Sequence, residues 1–160
     1  MARAERFEEL EVWQTARTIT QLIYAESNRG EFARDWGLRD QMRRSAVSIM
    51  SNIAEGFESR TRPLFIDFLG RAKGSAGELR AQLYVALDAG YIDSAVFENL
   101  HLQAIKCSRQ ISNLIWSLRE SALGSRVSED RAVEYGDSDS EVAPNMGQPH
   151  ESGTQTPDQT

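Results

Sequence analysis

The sequence predicts an all-α protein. It reads as an antiparallel up-down four-helix bundle over residues 1–123 with a disordered acidic tail over 124–160. Three observations predict this. Apolar residues recur at three- and four-residue steps in four separate segments. No strand-like alternation competes with them. Composition also changes abruptly near residue 126. Residues 1–126 carry a net charge of +1, and residues 127–160 carry −7. Three of the four prolines, Pro144, Pro149 and Pro157, lie in the second part. By composition, residues from about Gly124 onward cannot offset their ordering entropy.

The first helix is expected from Phe7 to about Asn28. Leu10, Trp13, Ala16, Thr20, Ile23 and Tyr24 form its stripe, and Val12, Ile19 and Leu22 broaden it. Gly30 is read as its end, and Phe32 to Asp35 as a connector. The second helix is expected from Gly37 to Glu55 on Leu38, Met42, Ser45, Ile49 and Ile53. Gly56 then stands where a left-handed C-terminal cap favours glycine. Pro63 fits a first helical turn, with Thr61 as N-cap. The third helix runs on to Ala89, and Gly90 stops it. Asp93 is the expected N-cap of a fourth helix ending near Leu123. Short links between helices make neighbours antiparallel.

The composition excludes several classes. One cysteine, Cys107, allows no intramolecular disulfide and no cysteine-based zinc site. No apolar run approaches the ~20 residues of a membrane span. The N-terminus leads into acidic residues, so no signal peptide and no membrane association are expected, and the cytoplasm is the expected compartment.

The run Arg43-Arg44-Ser45-Ala46-Val47-Ser48-Ile49-Met50-Ser51-Asn52-Ile53-Ala54-Glu55-Gly56 resembles the signature of a bacterial family. These are the four-helix-bundle proteins of intervening sequences in 23S ribosomal RNA genes, related to accessory proteins of diversity-generating retroelements. Leu10-Glu11-Val12-Trp13, Phe68 to Ser75, Glu78-Leu79, Gln82-Leu83 and Gly90-Tyr91 fit the same pattern. The resemblance covers about residues 7–120 and does not include the tail. It implies a four-helix bundle assembled as a homopentamer, with no established enzymatic activity. Its retroelement relatives bind nucleic acid and a reverse transcriptase. Their binding surfaces lie outside the shared motif, so none transfers to numbered positions.

The motif also has a physical reading. Arg44, Ser48, Ser51 and Glu55 share one face of the second helix, and Asn52 lies beside the apolar seam of Ile49 and Ile53. Small polar residues such as Ser48 and Asn52 allow close helix approach and fix register, so this face is read as a packing or oligomer interface. Gly70, Gly74 and Gly77 sit inside a helix at ~1 kcal/mol each relative to alanine. Close backbone approach by a neighbouring helix, within the chain or across a subunit boundary, is the expected compensation. A hinge is the alternative.

No catalytic, cofactor or metal residues are expected, and the protein is read as non-enzymatic. Glu98 and His101 form a Glu-x-x-His pair, but di-iron bundles need a second copy. Cys107 and His101 point to different sides of their helix and make no nucleophile–base pair.

Nucleic-acid binding, to RNA or DNA, is the competing reading. Sixteen of the eighteen basic residues are arginine, a residue suited to phosphate contacts and to protein interfaces alike. Arg34, Arg39, Arg43 and Arg44 cluster near the start of the second helix, and Arg39, Arg43 and Arg44 are the candidate binding residues. Arg60, Arg62, Arg71 and Lys73 cluster near the start of the third. The acidic tail would compete with phosphate for such a surface. Trp36 is the expected inter-subunit anchor, whereas Trp13 and Trp116 are at least as readily core residues.

Overall fold

The computed structural model describes the backbone of residues 4–136 and the side chains of residues 4–121. Four α-helices follow one another: α1 (Glu11–Glu26), α2 (Trp36–Glu58), α3 (Arg62–Asp88) and α4 (Ser94–Gly136). Short 3-10 turns at Phe7–Glu9 and Phe32–Arg34 precede α1 and α2. No strand occurs among the described residues. Met1–Leu123 forms one unit of the chain, and the bundle lies within it.

The stripes read from the sequence are the core. Ile19 and Ile23 of α1, Met42, Ile49 and Ile53 of α2, Leu69, Leu79 and Leu83 of α3, and Leu100, Cys107 and Ile111 of α4 are all buried in one cluster. Ala16, Ala46, Ala72, Ala76 and Ala86 are also buried, which lets the helices approach closely. Long-range contacts fix the antiparallel order. Thr20 donates to the Ala46 carbonyl across α1 and α2. Ser48 meets Ser75 across α2 and α3. The Tyr84 ring meets Phe97 across α3 and α4. Gln110 donates to Glu11 across α4 and α1, at 2.8 Å.

The helix starts follow cap chemistry. Thr61 accepts from Leu64 N and Asp93 from Val96 N, as the sequence predicts. Asp35 caps α2 in the same way, accepting from Leu38 N at 3.0 Å, so it is more than a connector residue. Asp35 also accepts from the Tyr91 hydroxyl at 3.1 Å, and the Tyr91 ring stacks on buried Phe32. This ties the α1–α2 connector to the α3–α4 turn. Gly30 and Gly90 take positive φ, at 49° and 73°. Gly90 ends α3 as expected, whereas α1 already stops at Glu26 with Ser27 as its C-cap, and Gly30 belongs to the turn beyond.

Three expectations change. First, Gly56 is not a left-handed cap. It lies inside α2, which continues to Glu58, and it is buried. A Cβ there would stand 2.7 Å from the Phe65 ring and 2.9 Å from Phe68 Cβ. The glycine serves the approach of α3 rather than a turn. Second, α4 runs thirteen residues beyond Leu123, to Gly136. Past Gly124 the sequence offers Arg126, Glu129, Arg131, Ala132 and Glu134, which sustain a helix by propensity without an apolar face. The tail expected over 137–160 lies outside the described residues. Third, Trp116 is not a core residue: it is 63% exposed, because the buried side of α4 passes through Ile111 and Leu114.

Candidate interaction surface

The candidate residues all lie on α2 and α3, but in three different settings. At the start of α2, two of the three candidate arginines are engaged in the fold. Arg39 donates to the Ala33 carbonyl at 3.0 Å and to Asp40 at 3.1 Å, and its guanidinium lies 4.4 Å over the Trp36 ring. Arg43 donates to Ser27 Oγ at 2.8 Å and to Asn28 Oδ1 at 2.7 Å, and it covers the Tyr24 ring. Ser27 is fully buried, so Arg43 locks the end of α1 onto α2. Arg44 differs: it is exposed and makes no hydrogen bond or ion pair among the described residues.

Arg44 stands between two open grooves. One, of about 580 Å³, is lined by Tyr24, Asp40, Arg43, Arg44, Val47 and Ser48. The other, of about 560 Å³, lies between α2 and α3 and is lined by Gln41, Arg44, Ser45, Ser48, Glu78 and Gln82. Ser45 reaches toward Glu78 at 3.5 Å. Gln82 Oε1 is buried without a hydrogen-bond partner among the described residues.

The motif serines and asparagine join helices. Ser48 Oγ and Ser75 Oγ are 2.9 Å apart, and Asn52 Nδ2 donates to both the carbonyl and the hydroxyl of Ser48. Ser48 and Asn52 therefore belong to the α2–α3 packing within one chain.

Gly70, Gly74 and Gly77 face outward. All three are exposed, and a Cβ added at any of them meets nothing within 4 Å. No helix approaches them among the described residues, so the intramolecular version of the close-approach expectation falls. With exposed Ala81 they form a smooth strip along α3, at steps of four, three and four residues.

Other groups are accounted for by the fold. Arg71 pairs with Asp67 at 3.1 Å on the surface. His101 stacks on Phe97 and meets the Tyr84 ring edge-on. No group of three potential metal ligands occurs among the described residues. Cys107 is fully buried, and burial pushes its thiol up to about 12, so it is a core residue and not a nucleophile. No helix among the described residues is long and apolar enough to cross a membrane.

These features define an antiparallel four-helix-bundle protein whose candidate functional feature is an outer face and not an enclosed cavity. The chain belongs to the 23S rRNA-intervening sequence protein family, whose model matches residues 8–113. Among solved structures it is similar to a protein of unknown function from the S23 ribosomal protein family of Bacteroides thetaiotaomicron. The identity is 21% and the TM-score 0.61, over 65% of this chain and 97% of that one. At that identity the likeness shows the fold. No curated protein matches the chain.

Proposed function

We propose that the protein is a non-enzymatic, homo-oligomeric helical scaffold or interaction protein of the cytoplasm, with five copies as the expected assembly. The observation that carries this reading is the amount of large apolar surface the bundle leaves uncovered. Trp36 is 68% exposed, Leu102 65% and Trp116 63%, although the same chain buries a complete four-helix core. Exposed tryptophans and leucines at this level favour contact with another protein surface. Static light scattering on the full chain at micromolar concentration tests it. A multiple of the 18.0 kDa chain mass is expected. A monomer overturns the reading.

The second reading is a nucleic-acid-binding accessory protein acting with an RNA or a reverse transcriptase, its basic surface modulated by the acidic tail. The exposed guanidinium of Arg44, which has no partner among the described residues, favours it, because such an arginine is available to phosphate. A mobility shift with RNA and DNA at low and physiological salt separates the two readings. Absence of binding at low salt removes the second.

A further inference from the structure

We propose that copies of this chain assemble head to tail through two different faces. The outer groove of α1 and α2, around Tyr24, Trp36 and Val47, receives the outer face of α4, around Leu102 and Ile105, of the next copy. This inference rests on the oligomeric reading above and assigns its surfaces.

The exposed apolar residues form two separate patches. Tyr24 and Val47 line one groove with Arg44, and exposed Trp36 stands a turn from Asp40 at its edge. On α4, Leu102 and Trp116 are exposed, and half-buried Ile105 shares the side of Leu102. Helices α1 and α3 each touch both α2 and α4, so α2 and α4 stand at diagonal corners of the bundle. Their outer faces point to different sides. Such patches suit a contact of one face with another, repeated around a ring, rather than a two-fold contact of one face with itself.

The patches also match in height. Ser48 meets Ser75, and Tyr84, nine residues further along α3, meets Phe97. Arg39, nine residues before Ser48, is therefore level with Phe97. Because α2 and α4 run in the same direction, Arg44 is level with Leu102 and Val47 with Ile105. Copies standing side by side with parallel axes bring these residues together.

Charge selects a second copy as the occupant. Toward the end that carries Tyr91, the α1–α2 face holds three neutralised pairs, Arg29–Glu26, Arg34–Glu31 and Arg39–Asp40. Arg17, Arg43 and Arg44 have no carboxylate partner there among the described residues. Toward the other end this face exposes Glu8, Glu55 and Glu58, with Arg60 in the link beyond. The α3–α4 side runs in the reverse order. Exposed Asp88 and Glu98 stand at the Tyr91 end, where Arg80 is half-buried and Lys106 is paired with Glu11. Arg62, Lys73, Arg109 and Arg119 lie toward the other end, against Glu120 and the paired Asp67 and Arg71. Positive above negative thus meets negative above positive, which favours parallel neighbours and sets Arg44 against Glu98.

The test measures oligomer mass and dissociation on the full chain. Trp36→Glu and Leu102→Glu each change a residue exposed in the single chain, so helicity should persist while each variant alone dissociates. Mixed in equal amounts, the two variants retain one intact face each and should pair and stop at two chains. Arg44→Glu and Glu98→Arg should each raise the dissociation constant about tenfold, and the double reversal should recover most of it. Dissociation of only one of the two apolar variants would mean a face that meets itself, and it overturns the proposal. So does an oligomer that tolerates both, a mixture that forms no two-chain species, or a double reversal that recovers nothing. Each of these leaves the oligomeric reading intact, whereas a monomeric wild type overturns both.

Discussion

The hydroxyls of Ser48 on α2 and Ser75 on α3 lie 2.9 Å apart, and Asn52 completes the group by donating to Ser48 from one turn further along α2. The polar residues of the most family-like stretch of the chain therefore fix the register of two helices. Ser48→Ala should cost about 1 kcal/mol, the usual net value of one hydrogen bond. Pairing it with Ser75→Ala in a double-mutant cycle, read by urea denaturation, should reveal coupling between the two sites. Fully additive effects would show that the two serines do not act together.

Glycines in the same bundle should respond to alanine in opposite directions. At Gly56 the new Cβ meets Phe68 Cβ at 2.9 Å, an atom held by its own backbone. Overpacking of this kind costs about 1–3 kcal/mol. At Gly77 the space is open, and alanine should stabilise the single chain by up to ~1 kcal/mol through helix propensity. Thermal melts of the two variants, compared under conditions of equal oligomeric state, check the contrast. A neutral Gly56→Ala would contradict the close approach of α3.

Arg43 and Arg44 are neighbours in sequence with different duties. Arg43→Ala removes two charged hydrogen bonds, one of them to a buried serine, and should cost on the order of 1.5 kcal/mol or more. Arg44→Ala should leave monomer stability within about 0.5 kcal/mol, as for a surface substitution free of partners. Chemical denaturation of both variants at one protein concentration distinguishes them. Charge reversal at Arg39 or Arg43 mixes folding with binding, and only Arg44 gives a clean probe of ligand contact.

Alkaline pH should weaken the fold. Burial raises the Cys107 thiol to about 12 in the folded chain, against 9.0 for a thiol in water. Unfolding above pH 9 therefore releases a proton. Stability that is complete below pH 9 should fall by about 1.4 kcal/mol per pH unit toward pH 12. Tyr91 adds to the trend with the same sign, because its hydroxyl is raised by the hydrogen bond it donates to Asp35 and by burial. Cys107→Ala should flatten the pH dependence measured by thermal melting between pH 9 and 11. The native thiol should also resist modification at pH 8, its labelling limited by unfolding.

Helix periodicity carried much of this fold in plain view. Ile49, Ile53, Leu79 and Leu83 repeat because one face must be buried, and Thr61 and Asp93 announce helix starts by their chemistry. Asp35 was equally readable, three residues before Leu38 and next to a helical run. Gly56 was not. A glycine at a helix end and a glycine under a crossing phenylalanine look alike in one dimension, and only the position of Phe65 and Phe68 separates them. The arginines show the same limit. Arg39, Arg43 and Arg44 are alike in type and spacing, yet what each does depends on whether Ala33, Ser27 and Asn28 fold back within reach. The outward position of Gly70, Gly74 and Gly77 likewise follows from where α2 and α4 settle around α3.

The clasp of Tyr91 on Asp35 and Phe32 has a kinetic consequence. It joins residues 56 positions apart and fastens two interhelical connections at one end of the bundle. The opposite end has one interhelical connection, from α2 to α3 through Ser59 and Thr61, and there α4 is tied to α1 by the surface hydrogen bond from Gln110 to Glu11. Breathing motions should therefore propagate from that looser end. Amide hydrogens around Glu11 and Arg62 should exchange with deuterium well before those around Arg39 and Ala86, which are held shut by a contact that forms only when both halves of the chain have met.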